Sequence, residues 1–390
     1  MKVLICFLLQ TCYNVYKSQN HRMWNIRGIL WKGCAAMPPD NLKIALAGCY
    51  TDAHLAGIYR LELAPETGEC RAVPLELPLE NPSYMVFSKK KGRVYLVSET
   101  KTFQGQAGGA VACCRWNGSG LHLSSIQPTL GIDPCHLILD DKEACVLAAN
   151  YGTGTCAVFP LDEQGELQPC SQLIRHRGRG KNPLRQEGPH VHCVRQHPAG
   201  GRIALCDLGL DKISLYAGQG GVVSDAPLQE VLLPEESGPR HLIWRSDGQY
   251  AYVANELANT VVVLQEENHR LQPVQVVSTL PPDFQGESTC AAIKFSPDER
   301  FLYVSNRGHD SICCFQLEGL GRLRLVEIVP SWGRTPRDLA LDDSGCYLLA
   351  ANQESDRISI FSRDLATGKL TFTGCQAELR RPVCICFINC

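Results

Sequence analysis

The chain has 390 residues, of which 44% are apolar and 20% charged, and its formal net charge is -2. This composition is typical of a folded, water-soluble domain and gives no general attraction to nucleic acid or to an anionic membrane. The longest opening apolar run, Val3 to Leu9, is too short to span a bilayer, so we expect neither a nucleic-acid nor a membrane partner.

The first 40 residues lack the sequence repeat, described below, that runs through the rest of the chain. The opening MKVLICFLLQTC has one lysine and a short apolar core, as a signal peptide does, but no small-x-small cleavage site follows it. Met37 is an alternative translation start. We interpret residues 1–40 as a weakly specified extension that need not be native, and residues 41–390 as one domain.

Cysteine is abundant, with 21 residues, an odd number. Most of them lie within apolar strand patterns, and no CxxC pair appears, which disfavours a zinc ribbon or a thioredoxin-like site. We therefore interpret them as small buried residues in a reducing compartment and expect a cytoplasmic protein.

One phrase recurs along the chain: an opening proline, a short apolar strand, a turn, a second apolar strand ending near Asn or Asp, and a third strand. The openings are Pro82, Pro134, Pro189, Pro239, Cys290, Pro336 and Pro382. Their spacing is 46 to 55 residues, and helical periodicity is almost absent. A period near fifty filled with short strands is typical of a propeller with four-stranded blades.

The two ends of the chain complement each other. RPVCICF near the C-terminus reads as a single inner strand, and KIALAGCYT, GIYRLEL and ECRAVPLEL read as the other three strands of a blade. Joining them leaves no open sheet edge. The sequence thus predicts an all-β fold, a seven-bladed β-propeller whose ring is closed by N- and C-terminal strands sharing one blade.

Aligning the phrases with each other separates two columns at the end of the second strand. The first is nearly uniform and is predicted to cap turns, because Asn and Asp bond nearby backbone. Its members are Glu99, Asn150, Asp207, Asn255, Asn306 and Asn352. The next position varies in a way that no turn requires. Its members are Thr100, Tyr151, Leu208, Glu256, Arg307 and Gln353.

A third column marks the start of the inner strand. It contains Tyr84, His136, His192, His241 and Asp338, with His190, Arg240 and Arg337 beside it. Antiparallel neighbours place the start of one strand beside the end of the other, so these side chains are predicted to surround one mouth of the channel. Histidines, arginines and a carboxylate suit an anionic ligand and acid–base chemistry.

Metal and cofactor sites find little support in the sequence. PHVH could place His190 and His192 on one side of a strand as ligands, but a clear third ligand is missing. There is no GxSxG elbow, phosphate loop or dinucleotide fingerprint. We expect no metal and no cofactor.

A basic loop precedes the His pair. RHRGRGKNPLRQEGPHVH carries four arginines and a lysine, and Arg185 is the last of these cations. Basic loops are often only solvent-exposed and have no binding role. This loop leads into a predicted pocket strand, so attraction of a phosphate group is an equally supported interpretation.

With these motifs the sequence resembles the lactonase family of seven-bladed propellers, the cycloisomerase-type bacterial 6-phosphogluconolactonases. The resemblance covers nearly all of Lys43 to Phe387 and rests on NPSY, ANYGTGT, RQEGPHVH, GPRH, ANELANTV, FSPDERFLYVSNRGHDSI and ANQESDRISIF. It implies hydrolysis of 6-phospho-D-glucono-1,5-lactone to 6-phosphogluconate in the pentose phosphate pathway, without a cofactor. The partner would be a phosphorylated sugar lactone, and the protein a monomer or weak homo-oligomer.

A fungal muconate-lactonising enzyme of the same family implies the catalytic residues. By motif they are His192, Arg240, Glu256 and Arg307. The columns and the basic loop supply candidate substrate-binding residues, which are His136, Tyr151, Arg185, His190, His241, Arg337 and Gln353. Carboxymuconate-type lactone formation or another sugar lactonase remains an alternative. A non-enzymatic scaffold is a second one, disfavoured because the mouth is charged rather than apolar.

Overall fold

The computed structural model describes residues 42–51 and 57–388. The predicted extension, residues 1–40, lies outside the described residues, so its interpretation remains a prediction. Within the described part, seven antiparallel sheets follow one another along the chain, each with the order inner, second, third and outer strand. This confirms the predicted seven-bladed, nearly all-β propeller, and we number the blades from the first complete one.

Each blade consists of four main strands, counted from the channel outward. Blades 1 and 2 comprise Met85–Ser88, Arg93–Ser98, Ala110–Trp116, Leu121–Pro128 and Pro134–Leu139, Cys145–Asn150, Thr155–Pro160, Gln172–Arg175. Blades 3 and 4 comprise Val191–Gln196, Arg202–Asp207, Lys212–Gln219, Gln229–Leu232 and Pro239–Trp244, Tyr250–Asn255, Thr260–Glu267, Arg270–Ser278. Blades 5 and 6 comprise Thr289–Phe295, Phe301–Arg307, Ser311–Leu317, Leu323–Pro330 and Pro336–Leu341, Tyr347–Asn352, Arg357–Arg363, Leu370–Glu378. Blade 7 comprises Pro382–Phe387, Lys43–Cys49, Ile58–Leu63 and Cys70–Leu75.

A few short elements lie outside this pattern. They are the strands Thr102–Phe103, Gln106–Ala107 and Val222–Val223 and the 3₁₀ helices Leu208–Leu210, Gly319–Gly321 and Gln353–Ser355. None of the helices in the described part of the chain is long and apolar enough to cross a membrane.

Blade 7 closes the ring. Its inner strand, Pro382–Phe387, runs antiparallel to Lys43–Cys49, with Ala45 opposite Phe387 and Ala47 opposite Ile385. The predicted sharing of one blade between the two ends of the chain is therefore confirmed, and each of the two edges has a hydrogen-bonded partner.

Tyrosines in the second strands tie neighbouring blades together. Tyr95, Tyr252 and Tyr303 are fully buried, because each ring packs between two sheets. Their hydroxyls donate to carbonyls in the turns of the following blade, at Gly165, Gly321 and Gly368, over 2.8, 2.7 and 2.6 Å. The ring of each tyrosine thus fills the space between two sheets, while its buried hydroxyl keeps a hydrogen-bond partner.

The inner strands are irregular at one end only. In blade 4, Pro239 pairs with Asn255 and His241 pairs with Ala254, so Arg240 is an extra residue in a β-bulge. The same irregularity makes extra residues of Cys135, His192 and Arg337. A bulge changes where a side chain points, and in this channel it lets two successive residues approach the axis.

The strand pairing also revises the alignment of the histidines. The sequence placed His192 in one column with His136 and His241, but the pairing puts His192 in register with Arg240 and Arg337. His136 and His241 lie one position deeper. The bulge is common to these blades, so it is not the cause. Blade 3 begins its pairing at Val191, where blades 2, 4 and 6 have the opening proline, and Pro189 lies two residues earlier.

Candidate active site

The Asn residues at the ends of the second strands act as turn braces. The Asn306 amide donates to the Thr279 carbonyl over 2.9 Å and to the Ser311 hydroxyl over 3.1 Å. Asn352 bonds Ser331 and Ser359 in the same manner. These bonds fix the strand end, and the residue after each Asn is thereby held at the channel mouth.

Glu256 is the centre of the cluster at this mouth. It follows Asn255, it is buried, and three guanidinium groups surround its carboxylate. The nitrogens of Arg185, Arg307 and Arg240 lie 2.5, 2.8 and 3.1 Å from its oxygens. Burial favours the neutral acid, but Arg307 and then Arg240 outweigh it and hold the pKa of Glu256 far below its usual range.

Arg240 is itself crowded by positive charge. Burial, followed by the neighbouring Arg307 and Arg337, lowers the pKa of Arg240 to about 10. It still carries its proton at neutral pH, and its Nη1 donates to the Ala291 carbonyl over 2.6 Å. An anion entering the mouth would relieve this repulsion.

His192 is a buried imidazole beside this cation cluster. Its Nδ1 lies 3.7 Å from the Cys135 thiol, and its ring meets the Tyr151 and His241 rings edge to face, with centroids 5.6 and 5.3 Å apart. Burial, and then Arg240, lower the pKa of His192 well below its usual range. The imidazole is therefore neutral at pH 7.

Arg337 has a neutral hydrogen-bond partner. Its Nη2 donates over 2.6 Å to the Tyr50 hydroxyl, which donates in turn over 2.8 Å to Glu99. Ser83 bonds the second oxygen of Glu99. Sequence reasoning missed Tyr50 altogether and assigned Glu99 to the turn-capping column, although Glu is longer than the Asn and Asp of that column. This difference was the available signal.

Tyr151 and His190 form one wall of the mouth. Their rings stack with centroids 4.4 Å apart, and His190 Nδ1 lies 3.0 Å from the Tyr151 carbonyl. The Arg185 side chain interacts with the Tyr151 hydroxyl as well as with Glu256. The loop residue Arg185 thus joins blades 2 and 4 at the rim.

His136 and His241 lie deeper in the channel. Their centroids are 5.3 Å apart, and Tyr84 lies over His136 at 4.2 Å. Burial first, and nearby cations as well, lower the pKa of both histidines. These three rings form a neutral aromatic plug beneath the charged cluster.

Gln353 differs from the other predicted residues. It occupies the same blade position as Glu256, but its amide donates to the adjacent Glu354 over 2.6 Å. Its Oε1 is buried without a hydrogen-bond partner in the described structure. Gln353 therefore sits at the ring without a bond to the Glu256 cluster.

The mouth carries an excess of positive charge. Four arginines, Arg185, Arg240, Arg307 and Arg337, face two carboxylates, Glu99 and Glu256. Buried cations without matching anions suit an anionic ligand. No group of three or more His, Cys, Asp or Glu side chains within residues 42–51 and 57–388 could hold a metal ion.

Comparison with known proteins places this geometry in a family. Residues 44–387 match the model of the family described as Lactonase, 7-bladed beta-propeller. The 6-phosphogluconolactonase of Bacillus subtilis (strain 168) is 35% identical over 349 residues, which cover 89% of this chain and 98% of that protein. A Lactococcus lactis subsp. cremoris protein described as uncharacterized is 33% identical and covers 89% of this chain and 98% of its own.

Solved structures agree with this assignment. The periplasmic gluconolactonase of Pseudomonas aeruginosa is 32% identical, with a TM-score of 0.83 covering 89% of this chain and 99% of that one. A Lactobacillus plantarum protein is 30% identical, with a TM-score of 0.83 covering 89% and 100%. The similarity to these proteins in fold and sequence extends over almost the whole propeller. The chain belongs to the lactonase family of seven-bladed β-propellers.

Proposed function

We propose that the protein hydrolyses 6-phospho-D-glucono-1,5-lactone to 6-phosphogluconate. The observation that carries the proposal is the group of three arginines around the buried Glu256, with Arg337 nearby, beside a neutral His192. The excess positive charge suits a phosphorylated substrate, and the Bacillus subtilis relative is a 6-phosphogluconolactonase.

Lactone hydrolysis requires a base for the attacking water and donors for the carbonyl oxygen as it gains charge. Arg240 and Arg307 are proposed as the oxyanion donors, because both lie in the dry part of the cluster. Arg185 lies at the rim, 39% exposed, and with the basic loop before it is proposed to hold the phosphate.

From the sequence, Glu256 is the candidate base and His192 a competing base or the acid that serves the ring oxygen; the contacts of Glu256 lead us to propose His192 as the base instead. Three guanidinium groups already occupy the Glu256 carboxylate and make it a very weak base. His192 is neutral, and with Nδ1 against Cys135 its Nε2 is the nitrogen placed to meet a water. Glu256 then orients the arginines, in the manner of a buried anion that fixes its cationic partners.

Substrate binding would improve His192 as a base. Arg240 contributes to the low pKa of this imidazole, and a bound phosphate or developing oxyanion offsets that positive charge. The pKa of His192 would then rise on substrate binding, which would make the imidazole a better base.

A comparison of three substrates tests the proposal. Rates with 6-phosphogluconolactone, unphosphorylated gluconolactone and a carboxymuconate are measured with and without EDTA. We expect the highest kcat/KM for the phosphorylated lactone, with no loss in EDTA. Faster turnover of gluconolactone or of the carboxymuconate would show that this compound, and not the phosphorylated lactone, is the preferred substrate. No activity on any lactone, together with stable capture of a protein partner, would indicate a scaffold.

We also propose that the enzyme acts in the cytoplasm as a monomer or weak homo-oligomer. All cysteines in the described ranges are free thiols, most of them buried. Free thiols persist in reducing compartments, which supports this location although the Pseudomonas aeruginosa relative is periplasmic. The residues with raised thiol pKa values, such as Cys156, are protonated and unreactive.

A further inference from the structure

The channel contains a cavity at the end opposite to the Glu256 cluster. Its volume is about 440 Å³, and the far ends of the inner strands line it. We call it the far cavity. Cavities that bind small molecules span about 300–1,000 Å³, so this one is large enough for a compact organic ligand.

Two cations point to the chemistry of that ligand. Arg195 and Lys294 both line the far cavity, and the strand pairing puts them at equivalent positions of blades 3 and 5. Arg195 Nε donates to the Leu242 carbonyl over 3.1 Å, and its Nη2 lies 3.4 Å from the Tyr84 hydroxyl. Both partners are uncharged, so the guanidinium charge of Arg195 is not balanced by them.

Lys294 is only partly balanced. Its Nζ lies 3.3 Å from Oδ1 of Asp338, whose other oxygen accepts the Ile385 backbone N–H over 2.9 Å. Although burial opposes it, this carboxylate raises the pKa of Lys294, which stays protonated. Asp338 is the one acidic residue among those that line the cavity in the described structure, so the lining carries one net positive charge.

Apolar side chains surround these charges. They belong to Val86, Phe87, Ile243, Phe295, Leu341 and Phe387, all partly exposed to the cavity space. An apolar wall with a few convergent polar groups is the usual composition of a small-molecule site. It fits an aromatic or aliphatic body better than a polyhydroxylated sugar.

The far cavity is separate from the site proposed for the lactone. The aromatic plug of Tyr84, His136 and His241 lies between them, with ring centroids 4.2 and 5.3 Å apart. Tyr84 and Asp338 line the far cavity and also a small cavity below Arg240 and Arg337. The two sites are neighbours that share a floor.

We propose that the far cavity binds a small monocarboxylate with an apolar body, held by Arg195 and Lys294. The carboxylate would sit between the two cations, and the ring or alkyl part would pack against Phe87, Phe295 and Phe387. This site is independent of the lactone chemistry and stands whether or not that function is correct.

The proposal is tested with 4-fluorobenzoate as the probe, by fluorine NMR titration of the full chain. Arg195→Met and Lys294→Met should each weaken binding about tenfold or more, as expected for loss of a charge-assisted hydrogen bond. Lys369→Met, which removes an exposed lysine elsewhere, is the matched control and should bind as wild type does. The melting temperature of each variant shows whether it is folded. If Arg195→Met does not fold, Lys294→Met alone decides the test.

Three results would overturn the proposal. The first is no binding of 4-fluorobenzoate by wild type at millimolar concentration. The second is equal binding of the neutral 4-fluorobenzamide, which would remove the requirement for an anion. The third is binding that both variants retain, in particular if 6-phosphogluconate displaces it, because the probe would then occupy the Glu256 end.

Discussion

The two ends of the channel are formed by the same inner strands but differ in charge, packing and backbone regularity. At one end four arginines, Glu99, Glu256 and His192 lie close together at the channel mouth. At the other, two cations and one aspartate lie among phenylalanines and aliphatic residues around open space. The backbone explains much of this difference.

At the Glu256 end, bulges insert an extra residue into the inner strands of blades 2 to 7. One strand can then present two successive side chains to the channel, as Arg240 and His241 show with nitrogens 3.2 Å apart. At the far end the pairing is regular, so each strand presents alternate residues. A bulge thus raises the density of functional groups without altering the blade behind it.

The largest effect is expected from removing the strand on which both ends depend. Deleting residues 381–390 removes the inner strand of blade 7 and exposes the paired edge of Lys43–Cys49. The protein should unfold or aggregate, which light scattering and thermal melting detect. Deleting only residues 389–390 is the control. A chain lacking 381–390 that melts at the wild-type temperature would disprove closure by this strand.

Substitutions at the two ends should then separate their roles. His192→Gln and Arg307→Ala are each expected to lower kcat/KM on the preferred lactone by about two to four powers of ten, the range for one acid–base or oxyanion group. Glu256→Gln should lower it as well, because Arg240 and Arg307 lose the anion that orients them. Lys294→Met, at the far end, should leave that rate within about twofold of wild type. Near-wild-type turnover in both the His192 and Arg307 variants would move the chemistry to His136, His190 or His241.

A smaller effect concerns acid stability, which the buried histidines of the Glu256 end should dominate. The folded pKa values of His136, His192 and His241 are lowered, whereas the unfolded chain takes up protons near pH 6.5. Stability is therefore present above about pH 6.5 and is lost as the pH falls, by up to about 1.4 kcal/mol per pH unit for each histidine.

Thermal melting between pH 7.5 and 5.5 measures this loss. His241→Gln should reduce the pH dependence, and His269→Gln, which removes a side chain 92% exposed, should not. A melting temperature that is constant over this range, or an unchanged slope in His241→Gln, would show that the histidines take up protons without unfolding.

The sequence predicted the propeller and its closure because both depend on apolar periodicity and turn residues, which repeat about every fifty positions. It predicted the types of residue at the mouth because those residues break the repeat. It could not predict the register of His192, since Pro189 lies two residues before the position that the opening proline occupies in blades 2, 4 and 6. It also missed Tyr50 and Cys135, whose contacts cross between blades.

Closure of the ring also determines when blade 7 can be completed during synthesis of the chain. Lys43–Cys49 leaves the ribosome early, but its partner Pro382–Phe387 is synthesised roughly 330 residues later, a delay of tens of seconds at about 5–20 residues per second. The three early strands of blade 7 must wait with one edge unpaired while the other six blades form. We infer that this interval, rather than the finished protein, is where chaperones have the most to protect.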